Sequence, residues 1–479
     1  MKSLNPLAIA VFVFLSTQVS AGPLVIYGED DRIEVSQGDA FWKNKARSVA
    51  VQVKASDLGL SKILGSRQLP SRTLRQKNTL KDSSSGVEMG LCEGTRFADQ
   101  ANPGDCSGFL VAPDILLTAG HCVHTESDCQ DKKWVFDFVA DIEGKVNLDI
   151  SEDRIYSCKR IIRSMAANEY GLDFSMIQLD RVAHGRESLE VNIADKIGKK
   201  DRLAMIGAPL GLPLKIATDG AVRDDDSVTQ FYTTLDSFLG NSGSPVFNQR
   251  TGKVEGILVS GEEDFKINNQ QMCIEVNVCQ EDDCLGEGVS RISSIPEIAL
   301  RETMQTIARE GKLEELKQIK KMNIDFFVDT YGADGVSPLM TAIENKQIET
   351  AAELLKMGAS ANHQSLSGVR PVELLIASYH NKAQFEEMIN ILIRSGADIG
   401  YKSRNSESLL FAAVKANNQA ALEVLLSKGL EAKAKNAQGK TAKDIAKQLK
   451  HKTLRKILFR AMHGKGLRGL VSSIFNKKN

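Results

Sequence analysis

An antiparallel all-β domain of barrel or sandwich type, followed by an all-α repeat solenoid, is the architecture this sequence predicts. Three observations carry it. Between about 46 and 296 the chain runs in short β-type stretches such as SVAVQV, CSGFLVA, DILLTA, WVFDFV, FSMIQL, RLAMIG, SPVF and VEGILVS, separated by turn residues (Pro113-Asp114, Gly207, Gly211, Asn248, Gly252). After about 297 the pattern turns helical. Within that helical part the blocks SPLMTA, RPVELL, SLLFAA and TAKDIA end 33, 38 and 33 residues apart, the self-similarity of stacked repeats.

At 479 residues the chain exceeds one ordinary hydrophobic core, so two or three domains are expected. Lys+Arg and Asp+Glu both number 61, so net charge points to neither nucleic acid nor a membrane. The opening MKSLNPLAIAVFVFLSTQVSAG sets Lys2 ahead of an apolar run over 7–15 and small residues up to Ala21. This reads as a secretory signal peptide over 1–21, cut after Ala21, in a secreted or periplasmic protein. The run is too short to span a bilayer, and no later segment is long and apolar enough. No cysteine follows the cut, which argues against a lipid anchor. Residues 22–88 form an N-terminal segment whose polar part, 54–88, is rich in Ser, Lys and Arg and reads as a surface loop or processing region.

All eight cysteines fall between 92 and 284, and an even count in an exported chain predicts disulfides. The Cys273/Cys279/Cys284 cluster lacks a C-x-x-C pair and a nearby histidine, so no metal centre and no cofactor is expected.

Three segments carry chemistry. LLTAGHCV places His121 after an apolar strand, YGLDFSMIQL places Asp173 before another, and GNSGSPVF places Ser242 between glycines. Each is weak alone; together, in the order His–Asp–Ser, they match a nucleophile, its base and the base's orienting carboxylate. CSGFLVAPDILLTAGHCV resembles the histidine region of trypsin-like serine proteases, while GNSGSPVFN and VIYGEDDRIEV are closer to the glutamyl-endopeptidase branch of that superfamily. The resemblance runs from about 25 to 296 and implies a double antiparallel barrel of chymotrypsin type over 89–298. It also implies a disulfide between Cys106 and Cys122, catalysis by His121, Asp173 and Ser242, and an oxyanion hole from the N–H groups of Gly240 and Ser242. His124, Ser107 and Ser244 lack the motif positions and are read as structural. The other six cysteines fall three on each side, so if all pair, at least one bond joins Cys92/Cys129/Cys158 to Cys273/Cys279/Cys284.

Asn241 departs from trypsin, whose aspartate at this place pairs with a newly cut N-terminal amine; a neutral amide cannot. The glutamyl branch also carries asparagine, so catalysis stands and the activation switch is left open. Six residues before Ser242, Asp236-Ser237 takes the place of trypsin's specificity aspartate and serine, which implies cleavage after Lys or Arg. The competing reading is that Asp236 caps a turn. Val259, Ser260 and Gly261 are expected to meet the substrate backbone, and Gly288 to line the pocket wall. Cleavage after Glu is the alternative specificity, weakened because Leu258 stands where that branch has a histidine.

The 33-residue period, the T-P-L-like helix starts and the glycine markers MGASAN, SGADIG and KGLEAK resemble ankyrin repeats over roughly 299–450. Such arrays bind proteins on an extended concave face. The tail, 451–479, is basic: ten Lys/Arg and no Asp/Glu lie between 447 and 479, either a solvated end or a weak contact for an anionic surface. The reading as a whole is an exported trypsin-like serine endopeptidase acting on protein or peptide substrates, with an ankyrin array for an unknown protein partner. Two rivals are an interaction protein with a scaffold-only protease-like domain, and a protease inhibited by its own repeats.

Overall fold

A computed structural model of the protein describes residues 25–81, 88–166, 171–194, 196–199, 201–261, 263–279, 284–321, 328–332 and 335–463. The expected signal peptide and the end of the basic tail lie outside these residues. Strands β1 (Val49–Lys54), β2 (Cys106–Ala112), β3 (Ile115–Thr118), β4 (Lys132–Phe136), β5 (Ile155–Met165) and β6 (Phe174–Leu179) close into a barrel in the order β4-β5-β6-β3-β2-β1. The period-2 alternation of strands sorts their side chains. Val49, Val51, Val53, Phe109 and Val111 enter one core, while Ala50, Leu110, Trp134 and Phe136 enter another.

Strands β7 (Arg202–Gly207), β8 (Lys215–Asp224), β9 (Gln230–Thr233), β10 (Pro245–Asn248), β11 (Val254–Ser260) and β12 (Glu287–Arg291) form a second ring, β7-β10-β11-β12-β9-β8, closed by β7–β8 pairing. Its interior holds Leu203, Met205, Phe231, Val246, Leu258 and Val289. The barrels meet through shared core residues: Ile206, Ile216, Phe247, Val254 and Ile257 pack in one cluster with Val51, Phe109 and Leu117. Two six-strand antiparallel barrels match the chymotrypsin-like double barrel.

The segment before β1 belongs to the second barrel. Ile33–Glu34 pairs with Lys215 and Ile216, and Lys215 Nζ lies 2.9 Å from Glu34 with both side chains buried. Burial pulls the Lys215 ammonium down to about 8 against the attraction of Glu34. The polar stretch expected as a loop folds onto the first barrel instead: Ser66–Gln68 pairs with Asp149–Ser151, and Leu69 and Leu74 are buried. Two apolar residues suffice to seat it, too few to register as a pattern. Cys92–Cys273, Cys106–Cys122, Cys129–Cys158 and Cys279–Cys284 are bonded, and the first joins the two cysteine groups.

Among the described residues ten helices follow in five pairs: α1 (Pro296–Glu310) with α2 (Leu313–Lys321), α3 (Pro338–Glu344) with α4 (Ile348–Lys356), α5 (Pro371–Ser378) with α6 (Lys382–Arg394), α7 (Leu409–Lys415) with α8 (Gln419–Ser427), and α9 (Ala442–Gln448) with α10 (Lys452–Met462). First helices stack on first helices and second on second, around one apolar core. Gly358, Gly396 and Gly429, the repeat markers, follow α4, α6 and α8 at φ of +101°, +88° and +92°, the left-handed residue that ends a helix.

The boundary expected at 298–299 falls inside α1. Ile295 and Ile298 are fully buried in the inter-barrel core, Arg301 donates to the Val111 carbonyl, and Met304 and Ile307 belong to the helical core. One helix is thus shared by both domains, so its amphipathic pattern gives no break to read. Ile298→Ala should cost about 2–5 kcal/mol by cavity formation. Chemical denaturation will place that loss in the transition of the barrels.

Candidate active site

Asp173 lies at the start of β6, and the strand register sets Ser175 opposite Thr118, three residues before His121. The two side chains meet there: His121 Nδ1 lies 2.8 Å from Asp173 Oδ2. The carboxyl is 4 % exposed and the imidazole 30 %. Asp173 Oδ1 accepts the backbone N–H groups of Gly120 and His121. A carboxylate accepts only, so Nδ1 carries a hydrogen and Nε2 keeps its lone pair. Residue 120 has to be glycine, because a Cβ there would lie 2.0 Å from the Met165 carbonyl oxygen and 2.8 Å from Asp173 Oδ1.

Ser242 sits in a buried turn flanked by Gly240 at φ +95° and Gly243 at φ +90°. A Cβ on Gly243 would strike the Ser107 carbonyl oxygen at 2.0 Å. Ser107, on β2 beside the Cys106–Cys122 bond, clasps this turn from the first barrel. Its N–H donates to the Ser242 carbonyl at 2.8 Å, and its Oγ donates to the Gly240 carbonyl while accepting Ala208 N–H, both at 2.9 Å. The turn is tied to β11 as well, through Gly243 N–H to the Leu258 carbonyl. Among the described residues neither the Gly240 nor the Ser242 N–H is spent on an internal partner, which leaves two donors at the turn. Asn241 is buried, with Nδ2 on Ser237 Oγ at 3.1 Å. Of the neighbouring residues set aside from the sequence, His124 is exposed against Ser164, and Ser244 is buried behind the turn.

Asp236 is buried, and both its oxygens are engaged: Oδ1 accepts Tyr27 N–H at 2.8 Å and Oδ2 accepts Asp31 N–H at 2.9 Å. The turn-capping role is therefore the one its hydrogen bonds display. Burial pushes its carboxyl up to about 8, with the nearby Asp31 charge acting in the same direction. The same N-terminal stretch accepts Ser237 N–H on the Val25 carbonyl and sends Val25 N–H to Glu287, a buried acid beside Gly288. Gly288 faces β11, where a Cβ would meet Ser260 Oγ at 2.3 Å. Val259 is buried, Ser260 half-buried, and Gly261 follows the strand.

Sequence reasoning missed three contributors, Ser290, whose Oγ accepts Asp173 N–H at 3.0 Å, Glu287 and the N-terminal stretch over Asp236; it read Asp264 as an acid of a solvated loop or an acidic rim, whereas the side chain is buried. The Asp264 carboxyl accepts Leu239 N–H and is pushed up to about 8 by burial. These act across 25 to more than 200 residues of chain, and no local motif reports them.

Residues 106–257, about a third of the chain, match the family model of the trypsin-like peptidase domain. That stretch contains His121, Asp173 and Ser242, and the match and the two barrels together fit a chymotrypsin-like fold. The chain is also 29% identical over 138 residues to the human transient receptor potential cation channel subfamily A member 1, a match covering 29% of this chain and 11% of the channel.

Ser107→Ala removes two hydrogen bonds and leaves Ala208 N–H buried without a partner, so it should destabilise the protein by about 1–3 kcal/mol. Amide exchange will quicken at 207–208 and 240–243. Asp236→Asn tests the second anchor through linkage. The folded carboxyl keeps its proton up to about pH 8, whereas the unfolded one loses it near its ordinary 3.8. The wild type therefore loses stability relative to the variant as pH rises from about 4 to about 8, and the difference is flat outside that window. Denaturation curves across pH measure this difference.

Proposed function

We propose that the protein is an exported serine endopeptidase in which His121, Asp173 and Ser242 hydrolyse peptide bonds, with the helical repeats as an ankyrin-type array for a protein partner. The observation that carries the catalytic reading is the buried Asp173 carboxyl, bonded to His121 Nδ1 and two backbone N–H groups inside a trypsin-like peptidase domain. With Nδ1 protonated, Nε2 takes the Ser242 proton as Oγ attacks the scissile carbonyl carbon. The oxyanion that forms is received by the Gly240 and Ser242 N–H groups. The imidazolium then gives its proton to the leaving amine, and water repeats the sequence to release the acid. The four disulfides fit an extracellular or periplasmic setting, and among the described residues no helix is long and apolar enough to cross a membrane.

For specificity we favour Lys or Arg before the scissile bond. Asp236 and Glu287 place two buried carboxyls next to Ser237 and Gly288, and an entering cation would draw the proton from Asp236. Buried acids at that place offer a glutamate side chain no cation, and the fully buried Leu258 offers it no partner. The self-inhibited reading is not favoured. The polar contacts of the helices with the first barrel run from Arg301 to the Val111 carbonyl and from Glu297 to Arg163, and neither engages His121, Asp173 or Ser242.

Full-length protein and its Ser242→Ala variant, compared on a positional peptide library, test the proposal. Activity should be lost in the variant, and Asp173→Asn should lower kcat about 10⁴-fold by fixing the wrong imidazole tautomer. Equal turnover by wild type and Ser242→Ala would remove the catalytic assignment. Cleavage after Glu alone would remove the role given to Asp236. If that role holds, kcat/KM for Lys and Arg peptides gains an increment as pH rises through about 8, where Asp236 ionises, and Asp236→Asn lacks it.

A further inference from the structure

Charge along this neutral chain is unevenly placed. Residues 432–463 hold ten Lys/Arg and one acid, Asp444, and that carboxylate is taken by the N–H and hydroxyl of Thr441. The ion pairs of the helical region end at Lys415–Glu407, so among the described residues none of these ten cations forms a close ion pair, and Asp444 feels only the charges of Lys443 and Lys447 at longer range. Most of them lie on the last helix pair, at the free end of the stack.

α10 concentrates the effect. Leu454 and Leu458 are buried against the stack, and with 3.6 residues per turn the opposite half of the helix carries Lys452, Arg455, Lys456, Phe459, Arg460 and His463. Phe459 stands at the centre of that cationic half and is 53 % exposed, and Leu449, between the two helices, is 45 % exposed. The Phe459 ring is flanked by His463, 4.3 Å between centroids, and by Lys443, whose Nζ lies 5.9 Å from the ring centroid. A terminal helix that only shielded the stack would need its buried leucines and a polar outer face. An aromatic ring set among cations, facing outward, is an addition to that need.

We propose that this outer face of α10 is a docking surface for anionic lipid headgroups. The cations supply attraction to a negatively charged membrane surface, and Phe459 with Leu449 supplies shallow apolar insertion at the headgroup boundary. Charge complementarity alone would fit any polyanion; the exposed ring set among the cations selects an interface with an apolar layer beneath it. The site holds the protein by the end of its helical stack, away from the barrels.

The test uses full-length protein and sedimentation with vesicles of phosphatidylcholine, with or without phosphatidylserine. Binding is expected only to the anionic vesicles and should weaken as salt is raised. Lys452→Glu with Arg455→Glu and Lys456→Glu should abolish it, and Phe459→Ser should weaken it about tenfold or more. All these side chains point to solvent, so the variants keep Leu454 and Leu458 in place; unchanged circular dichroism checks this, and unchanged peptide turnover separates the surface from the proposed active site. Absence of binding to anionic vesicles overturns the proposal. So does full binding by Phe459→Ser accompanied by equal affinity of the wild type for duplex DNA or heparin, which would mark a general polyanion surface.

Discussion

The hydrogen-bonding of Ser107 is the constraint on which the two-barrel half of the molecule depends. Its N–H and Oγ hold the turn of residues 240–242, its carbonyl accepts Thr118 Oγ1 at 2.7 Å, and Thr118 ends the strand that leads to His121. One buried residue therefore fixes the spacing between a histidine on the first barrel and a serine on the second. Two barrels packed through apolar contact alone could slide by fractions of an ångström without large loss, because burial is non-directional. Directional bonds from a single serine remove that freedom. The positive φ of Gly240 and Gly243 follows from the same geometry, since a side chain at either place would collide with backbone of the neighbouring segments.

This division of labour explains what was legible in the sequence. The barrel strands show themselves by β-branched runs between turn residues, and the helix pairs by period and by Gly358, Gly396 and Gly429, because each of those signals is local. The motifs around His121, Asp173 and Ser242 stand out for a related reason: each sits in a turn whose own backbone demands glycine or a short neighbour. Ser290 and Glu287 gave no such signal. Each is an ordinary polar residue in a strand, and its meaning comes from a partner more than 100 residues away. Residues 54–88 read as a surface loop or processing region because Leu69 and Leu74, buried in separate clusters, are too few to register as hydrophobic periodicity.

The domain boundary was misread for a different reason. A linker is recognisable by polar or Gly/Pro-rich composition, yet here the connection is a 15-residue helix. Its first turn is buried among the barrels and its later turns among the repeats. The helical region is consequently packed on the barrels through this helix instead of being joined by an exposed linker.

The N-terminal stretch shows how a neutral residue at 241 is compatible with an ordered serine turn. A turn ordered by an ion pair to a chain terminus needs a charged partner at 241. Here Asn241 bonds Ser237 Oγ, Ser237 N–H bonds the Val25 carbonyl, and Asp236 gathers the N–H groups of Tyr27 and Asp31. Each of these is a hydrogen bond from backbone or amide, so order reaches the turn without an ionised amine. Burial of Asp236 would be costly for an isolated charge, and the raised carboxyl pKa reflects that cost. The two backbone donors reduce it without cancelling it. What the arrangement retains is a buried acid beside the serine turn whose charge responds to pH and to whatever cation approaches, a property that a closed ion pair at the same place would have lost.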